Sequence, residues 1–214
     1  MGLDRQAVFV AVEQERLAIA ALLDELDGPQ LSSPSLCASW DIKTVGAHVL
    51  STIVDGLPVF LGLAVRRGSL ALAINERATK HAQLPSAELV DRLRATASRP
   101  VSPPLFGPRD PLADVLVHSG DIRIPLGLPY DPNPSVTSFA LDFLAGPWPF
   151  GFVPLGRLRG LSLHATDVDR VWRTGREVKG PAAALMMAVA GRTVLLDQLD
   201  GPGLPLLRSR ILGD

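Results

Sequence analysis

At 214 residues the chain can bury a core of its own, as one domain or as two small ones. A net charge of −1 with no basic cluster excludes an electrostatic footprint for nucleic acid. The 47% hydrophobic and 20% charged residues fit a soluble globular protein. The opening "MGLDRQAVFVAVEQERL" carries Asp4, Glu13 and Glu15, so it lacks the basic start and apolar core of a secretory signal. The most membrane-like stretch, "VGAHVLSTIVDGLPVFLGLAV", contains His48, Asp55 and Pro58 and reads as a buried core helix instead. Cys37 is the one cysteine, which excludes an intrachain disulfide. A cytoplasmic protein is the expectation.

Taken in chain order, residues 5–27 read as an amphipathic helix, with Val8, Val12, Leu17, Ala21 and Leu22 near helical spacing. "DGPQLSSPS" ends it. A second helix starts in "SWDIKTVGAHVL", with Asp41 as N-cap and Trp40 as an apolar staple, and Pro58 kinks or ends it. "RRGSLALAINERATKHAQLP" reads as a connector with some helix of its own, and "PSAELVDRLRATAS" as a short helix capped by Ser86. After the proline-rich loop "RPVSPPLFGPRDP", Pro111 suits the first turn of a helix that runs to about Arg123. These elements predict an antiparallel bundle of about four long helices.

The pattern then changes. "SVTSFALDFLAG" is helical with Ser135 as cap, and "GPWPFGFVPLG" is loop. "LRGLSLHATD" and "RVWRTGREVKG" alternate like the two strands of a hairpin. "GPAAALMMAVAGR" is a buried helix with Gly191 as C-cap. The expected organisation is mainly α: a four-helix bundle over 1–130 and a small α/β domain over 135–214.

Four histidines carry most of the chemistry. His48 shares a helix with Thr44, Ser51 and Asp55, which form a polar stripe. A polar stripe inside a bundle is costly unless its members pair or bind something. Asp114 and His118 lie one turn apart on one face of the fourth helix, a spacing that lets two ligands point at a common ion. His48, Asp114 and His118 together suit Zn²⁺ or another first-row divalent ion with open positions. Ordinary polar pairing is the alternative, and Asp121 is a rival carboxylate or a support behind the ligands. His81 is expected in a connector and exposed, His164 half-buried in a strand, and Cys37 a small packing residue near Trp40.

At these residues the sequence resembles a known family. "LCASWDIKTVGAHVL" resembles the segment of mycothiol-dependent maleylpyruvate isomerase-like proteins that precedes and carries a metal-binding histidine. "VLVHSGDIRIPLGLP" resembles their second signature, and "VWRTGREVKGPAAALMMAVAGR" a small C-terminal domain similar to sterol carrier proteins. The resemblance implies a DinB-like metal-dependent four-helix bundle, with His48, Asp114 and His118 as ligands. Asp114 stands where the family pattern has glutamate, one methylene longer.

It further implies a divalent metal, zinc or nickel, and mycothiol as a thiol cofactor that adds to a small electrophile and leaves after rotation. The implied activity is that of a thiol-dependent isomerase or transferase. Arg123, Arg77 and Arg192 are candidates for binding an anionic group of substrate or thiol, with Arg123 foremost. A non-catalytic module that binds metal or an apolar ligand is the competing reading, with "FLAGPWPFGFVPLG" as its pocket lining. The expected partners are small molecules, with neither nucleic acid nor membrane. Monomer and homodimer both remain open.

Overall fold

The computed structural model describes residues 4–102, 107–149 and 151–213. The chain divides into two compact units, residues 1–130 and 131–214.

In the first unit, α1 (Arg5–Glu25) starts where the Asp4 side chain accepts a hydrogen bond from the Ala7 N–H. It buries Val8, Val12, Ile19, Leu22 and Leu23, together with one cation, Arg16. A single turn, α2 (Gly28–Leu31), follows; Asp27 and Gln30 close its capping box. Asp41 caps α3 (Ile42–Val54) through the Thr44 N–H, and almost every side chain of α3 is buried.

The apolar run beyond does not continue as one helix. It turns by 112° into α4 (Gly56–Arg67), with Gly56 at φ +72° in the joint and Pro58 in the first turn of the new helix. Among the described residues, no single helix is long and apolar enough to cross a membrane.

Residues 66–85, expected as a connector with some helix of its own, carry a full helix, α5 (Leu70–Ala82), while α4 is the part of the apolar run that lies beyond the break. The reason the pattern hid α5 is physical. The side chains that α5 buries are Ala73 and Ala78, too small to mark the broad apolar stripe of a core helix.

α6 (Ser86–Thr96) and α7 (Arg109–Arg123) complete the unit. Ser86 is not the N-cap of α6: it is the first helical residue, and Pro85 holds the cap position. Within the proline-rich stretch before α7, residues 103–106 lie outside the described residues. α1 and α3 each pack against both α6 and α7, which makes the four-helix core, while α5 covers α3 and pairs with α4.

The second unit opens with α8 (Pro134–Leu144), whose cap is Asn133 rather than Ser135, with Pro134 in the first turn. Of the loop that follows, Phe150 lies outside the described residues. The expected two-stranded hairpin is a three-stranded sheet: β1 (Leu161–Ala165), β2 (Arg170–Trp172) and β3 (Arg176–Gly180) in the order β2-β1-β3. The second run breaks because Arg173 at φ +64° and Gly175 at φ +148° turn the chain. β2 runs antiparallel to β1, whereas β3 crosses to its other edge and lies parallel to it.

Leu161, Leu163, Ala165 and Val178 form the sheet's buried face, and α9 (Ala182–Val189) packs on both β1 and β3. Ala190 is the C-cap of α9, with Gly191 at φ +94° one residue further on. α10 (Leu204–Leu212), which no pattern in the sequence announced, closes the chain.

Candidate metal centre

Four side chains of the bundle meet at one place. His48 comes from α3, Asp114, His118 and Asp121 come from α7, and all four are at least nine-tenths buried. Steps of four and then three residues along α7 put Asp114, His118 and Asp121 on one side of it. Asp114 Oδ1 lies 3.2 Å from His48 Nε2 and 3.4 Å from His118 Nε2. One carboxylate oxygen is thus shared by two imidazoles, and one donor atom from each of the three residues falls within a 4.8 Å span.

Asp121 takes a different place: its Oδ2 accepts a hydrogen bond from His118 Nδ1–H at 2.9 Å, behind the ring. That bond fixes which nitrogen of His118 faces Asp114. His48 has no such support among the described residues; its Nδ1 is buried without a hydrogen-bond partner. Packing orients this ring instead, with the Trp40 indole 5.1 Å from it and the His118 ring at 4.7 Å. Trp40 is therefore more than a staple: it lies against both imidazoles and donates its Nε1–H to Asn75 at 2.8 Å.

The loop between α2 and α3 adds a fifth group. Its neck is closed by a bridge between Pro34 and Asp41, and the Leu36 N–H donates to the Asp121 carbonyl at 3.2 Å. This fold-back brings the Cys37 thiol to 3.1 Å from Asp121 Oδ2 and 3.7 Å from His118 Nδ1. Cys37, expected as a plain packing residue, touches the cluster.

Burial sets the charge states. It pulls His48 down, and the attraction of Asp114 offsets this only in part, so His48 is neutral near pH 7. Burial also opposes charge on Asp114 and His118, but there the charge and hydrogen bonds between them win. Asp114 stays far below the usual carboxylate range, and His118, with bonds from Asp114, Asp121 and Cys37, is held well above 6.5.

Two groups that spacing did not reveal complete the electrostatics. Arg16 is buried with its Nη1 donating to the carbonyls of Ala97 and Arg99 at 3.0 and 2.9 Å, and its charge is felt by Asp114. Asp110, one turn before Asp114, is pushed up to about 7 by burial and then by Asp114's charge.

The remaining candidates fall elsewhere. His81 is neither in a connector nor exposed: it sits on α5 with its side chain 11% exposed and its Nε2 3.1 Å from Asp55. Arg77 grips the same Asp55 with two nitrogens, at 2.7 and 2.5 Å, so its guanidinium is already paired. Ser51 turns its hydroxyl back to the His48 carbonyl. The polar stripe of the second helix therefore splits between His48's cluster and Asp55's. Arg123 lies half-buried on α7, five residues past His118, with Nε donating to Ser119 Oγ at 3.3 Å. Arg192 belongs to the second unit, where its Nη1 donates to the Ala190 carbonyl. His164 is half-buried on β1 between Glu177 and Asp169.

Residues 12–102 match the family described as mycothiol maleylpyruvate isomerase N-terminal domain. The matched segment lies within the N-terminal unit and makes up less than half of the 214-residue chain. The match runs from within α1 to beyond the end of α6, includes His48, and stops short of α7. Two crystal structures share the fold: mycothiol-dependent maleylpyruvate isomerase, at a TM-score of 0.63, and a point mutant of that isomerase, at 0.62. Each is 16% identical, over 94% of this chain and 93% of that one. No curated protein matches the sequence.

Proposed function

We propose that this protein is a divalent-metal-dependent, thiol-using isomerase or transferase of the mycothiol maleylpyruvate isomerase type, acting on a small electrophile. The observation that carries this is the buried convergence of His48 Nε2, Asp114 Oδ1 and His118 Nε2, with Asp121 behind His118. Two imidazoles and a carboxylate are the donor set of an open catalytic zinc site, and a histidine backed by a carboxylate is its usual support. The donors fit zinc, and nickel among other ions of the series. The shorter Asp114, in place of glutamate, reaches both imidazoles through one oxygen.

A divalent ion held there would lower the pKa of a bound water or thiol. The chain's own residues favour an anion beside it. Without an ion, the carboxylates of Asp114 and Asp121 face one guanidinium, Arg16, and one imidazolium, His118. Exchanging the His118 proton for a divalent cation leaves a positive excess, which a thiolate or a substrate carboxylate neutralises. Asp110, balanced near neutral pH one turn along α7, is suited to hold or release a proton there. Arg123 is the arginine we assign to an anionic group of thiol or substrate, because it is half-buried on the helix that supplies Asp114 and His118. The cytoplasmic thiol pool is the compartment that this chemistry requires.

The test is metal analysis of freshly purified protein, followed by turnover of maleylpyruvate and related cis unsaturated diacids with mycothiol. One zinc or nickel ion per chain is expected, lost in Asp114→Ala and His118→Ala together with thiol-dependent turnover. A chain that takes up no stoichiometric ion sinks the reading. An ion without turnover reduces it to a metal-binding module.

A further inference from the structure

His118 presents its two nitrogens to two different sets of donors, and the set behind it has its own metal-binding geometry. Cys37 Sγ, His118 Nδ1 and Asp121 Oδ2 form a triangle with edges of 3.1, 2.9 and 3.7 Å. Around a tetrahedral zinc-like ion such donors stand roughly 3.4–3.6 Å apart, given metal–ligand distances of about 2.0–2.3 Å. Edges of this length reach that spacing with shifts of about half an ångström or less. The triangle is built rather than incidental. The Leu36 N–H holds the loop to α7, the Cys37 N–H donates to Ser35 Oγ, and Asp121 is fully buried. The loop also offers a way in, since Ala38 and Ser39 next to the half-buried Cys37 are exposed.

We propose that Cys37, His118 and Asp121 form a second metal position, selective for soft thiolate-seeking cations, which competes with the His48–Asp114–His118 position for His118. Selectivity follows from the donors: the first position offers nitrogen and oxygen only, and the second adds sulfur. Competition follows from the ring. A neutral imidazole has one lone pair, so ligation through Nδ1 leaves the proton on Nε2, where it faces Asp114 Oδ1 and cannot ligate. A soft cation at the second position thereby turns a ligand of the first into a hydrogen-bond donor, and the Cys37 and His118 Nδ1 protons leave to solvent. The competition rests on the first position proposed above; the second position does not.

The test uses the metal-free full-length chain and cadmium. Because Cys37 is the only cysteine, any thiolate-to-cadmium charge-transfer absorption reports this position alone. One equivalent is expected to produce the band in the wild type and in His48→Ala, while Cys37→Ala removes it and weakens cadmium binding by about tenfold or more. A wild type without the band at one equivalent, or a His48→Ala chain that loses it, overturns the second position. Cobalt(II) then reads the first position by its visible absorption, which one equivalent of cadmium should suppress in the wild type but not in Cys37→Ala. Full cobalt and cadmium bands in the same chain overturn the competition. If cobalt fails to bind at all, the first position and the competition both fall, and the cadmium band still decides the second.

Discussion

Asp55, half-buried, and Asp114, buried, are carboxylates that meet histidine in the same bundle, and they are put to opposite ends. At the α3–α4 joint, Arg77 donates twice to Asp55 and His81 stands 3.1 Å from it. Burial alone would raise this carboxyl, but the Arg77 and His81 hydrogen bonds hold it below 3.8. At the other place Asp114 stands between two imidazoles, with no guanidinium fork. The partner decides the outcome. A guanidinium has donors and no lone pair, so its pair with Asp55 is closed. An imidazole exchanges a proton for a cation, so a carboxylate flanked by two of them remains open to a metal. The first cluster is a clasp on the bend, and the second is the proposed metal site.

The sharpest way to break this contrast is to open the clasp. Arg77→Ala leaves the half-buried Asp55 short of its main partner, and should cost about 1–2 kcal/mol in urea unfolding, less than a fully buried pair would. Metal affinity should stay within a factor of about two, because the clusters share no partner. A large loss of metal affinity in that variant would show that the two are one network. On the other side, Asp121→Asn should lower metal affinity by about 10–100-fold by releasing the back of His118. Its effect on urea unfolding of the metal-free chain should be smaller than that of Arg77→Ala.

A third effect is read by pH. Asp110 has a folded value of about 7 against 3.8 when unfolded, so the folded state prefers it protonated. That stabilisation is complete below 3.8 and is lost as pH rises to about 7. Asp110→Asn should therefore raise the Tm of the metal-free chain by an amount that grows over this range and then levels off. A Tm difference independent of pH would remove Asp110 from the site's electrostatics. The smallest effect belongs to the exposed pair Glu88–Arg92 on α6, where Glu88→Ala should change stability by less than about 0.5 kcal/mol.

The same contrast explains what could be read in the sequence. α1, α3 and α7 announce themselves through caps and repeating apolar faces. α5 does not, because the side chains it buries are two alanines. The spacing of Asp114 and His118 puts them on one helix face, and His48 on another. Spacing could not show that Asp55, seven residues after His48, belongs to a different cluster, since Arg77 and His81 reach it from α5. Nor could it place Cys37, whose contact with Asp121 depends on a loop folding back across the chain. Arg16 looks like one more charge on α1 until α6 and α7 bury it.

His48 and Asp114 are 66 residues apart in the chain, and neither α3 nor α7 can assemble the centre without the other. A half-folded bundle with α7 detached has no place for the first ion. Metal held at the proposed site would therefore act on the docking of the whole unit rather than on one helix, and its stabilisation would grow with free metal concentration. The slowest release of the ion would then coincide with the opening of the bundle, which makes metal exchange a clock for that motion.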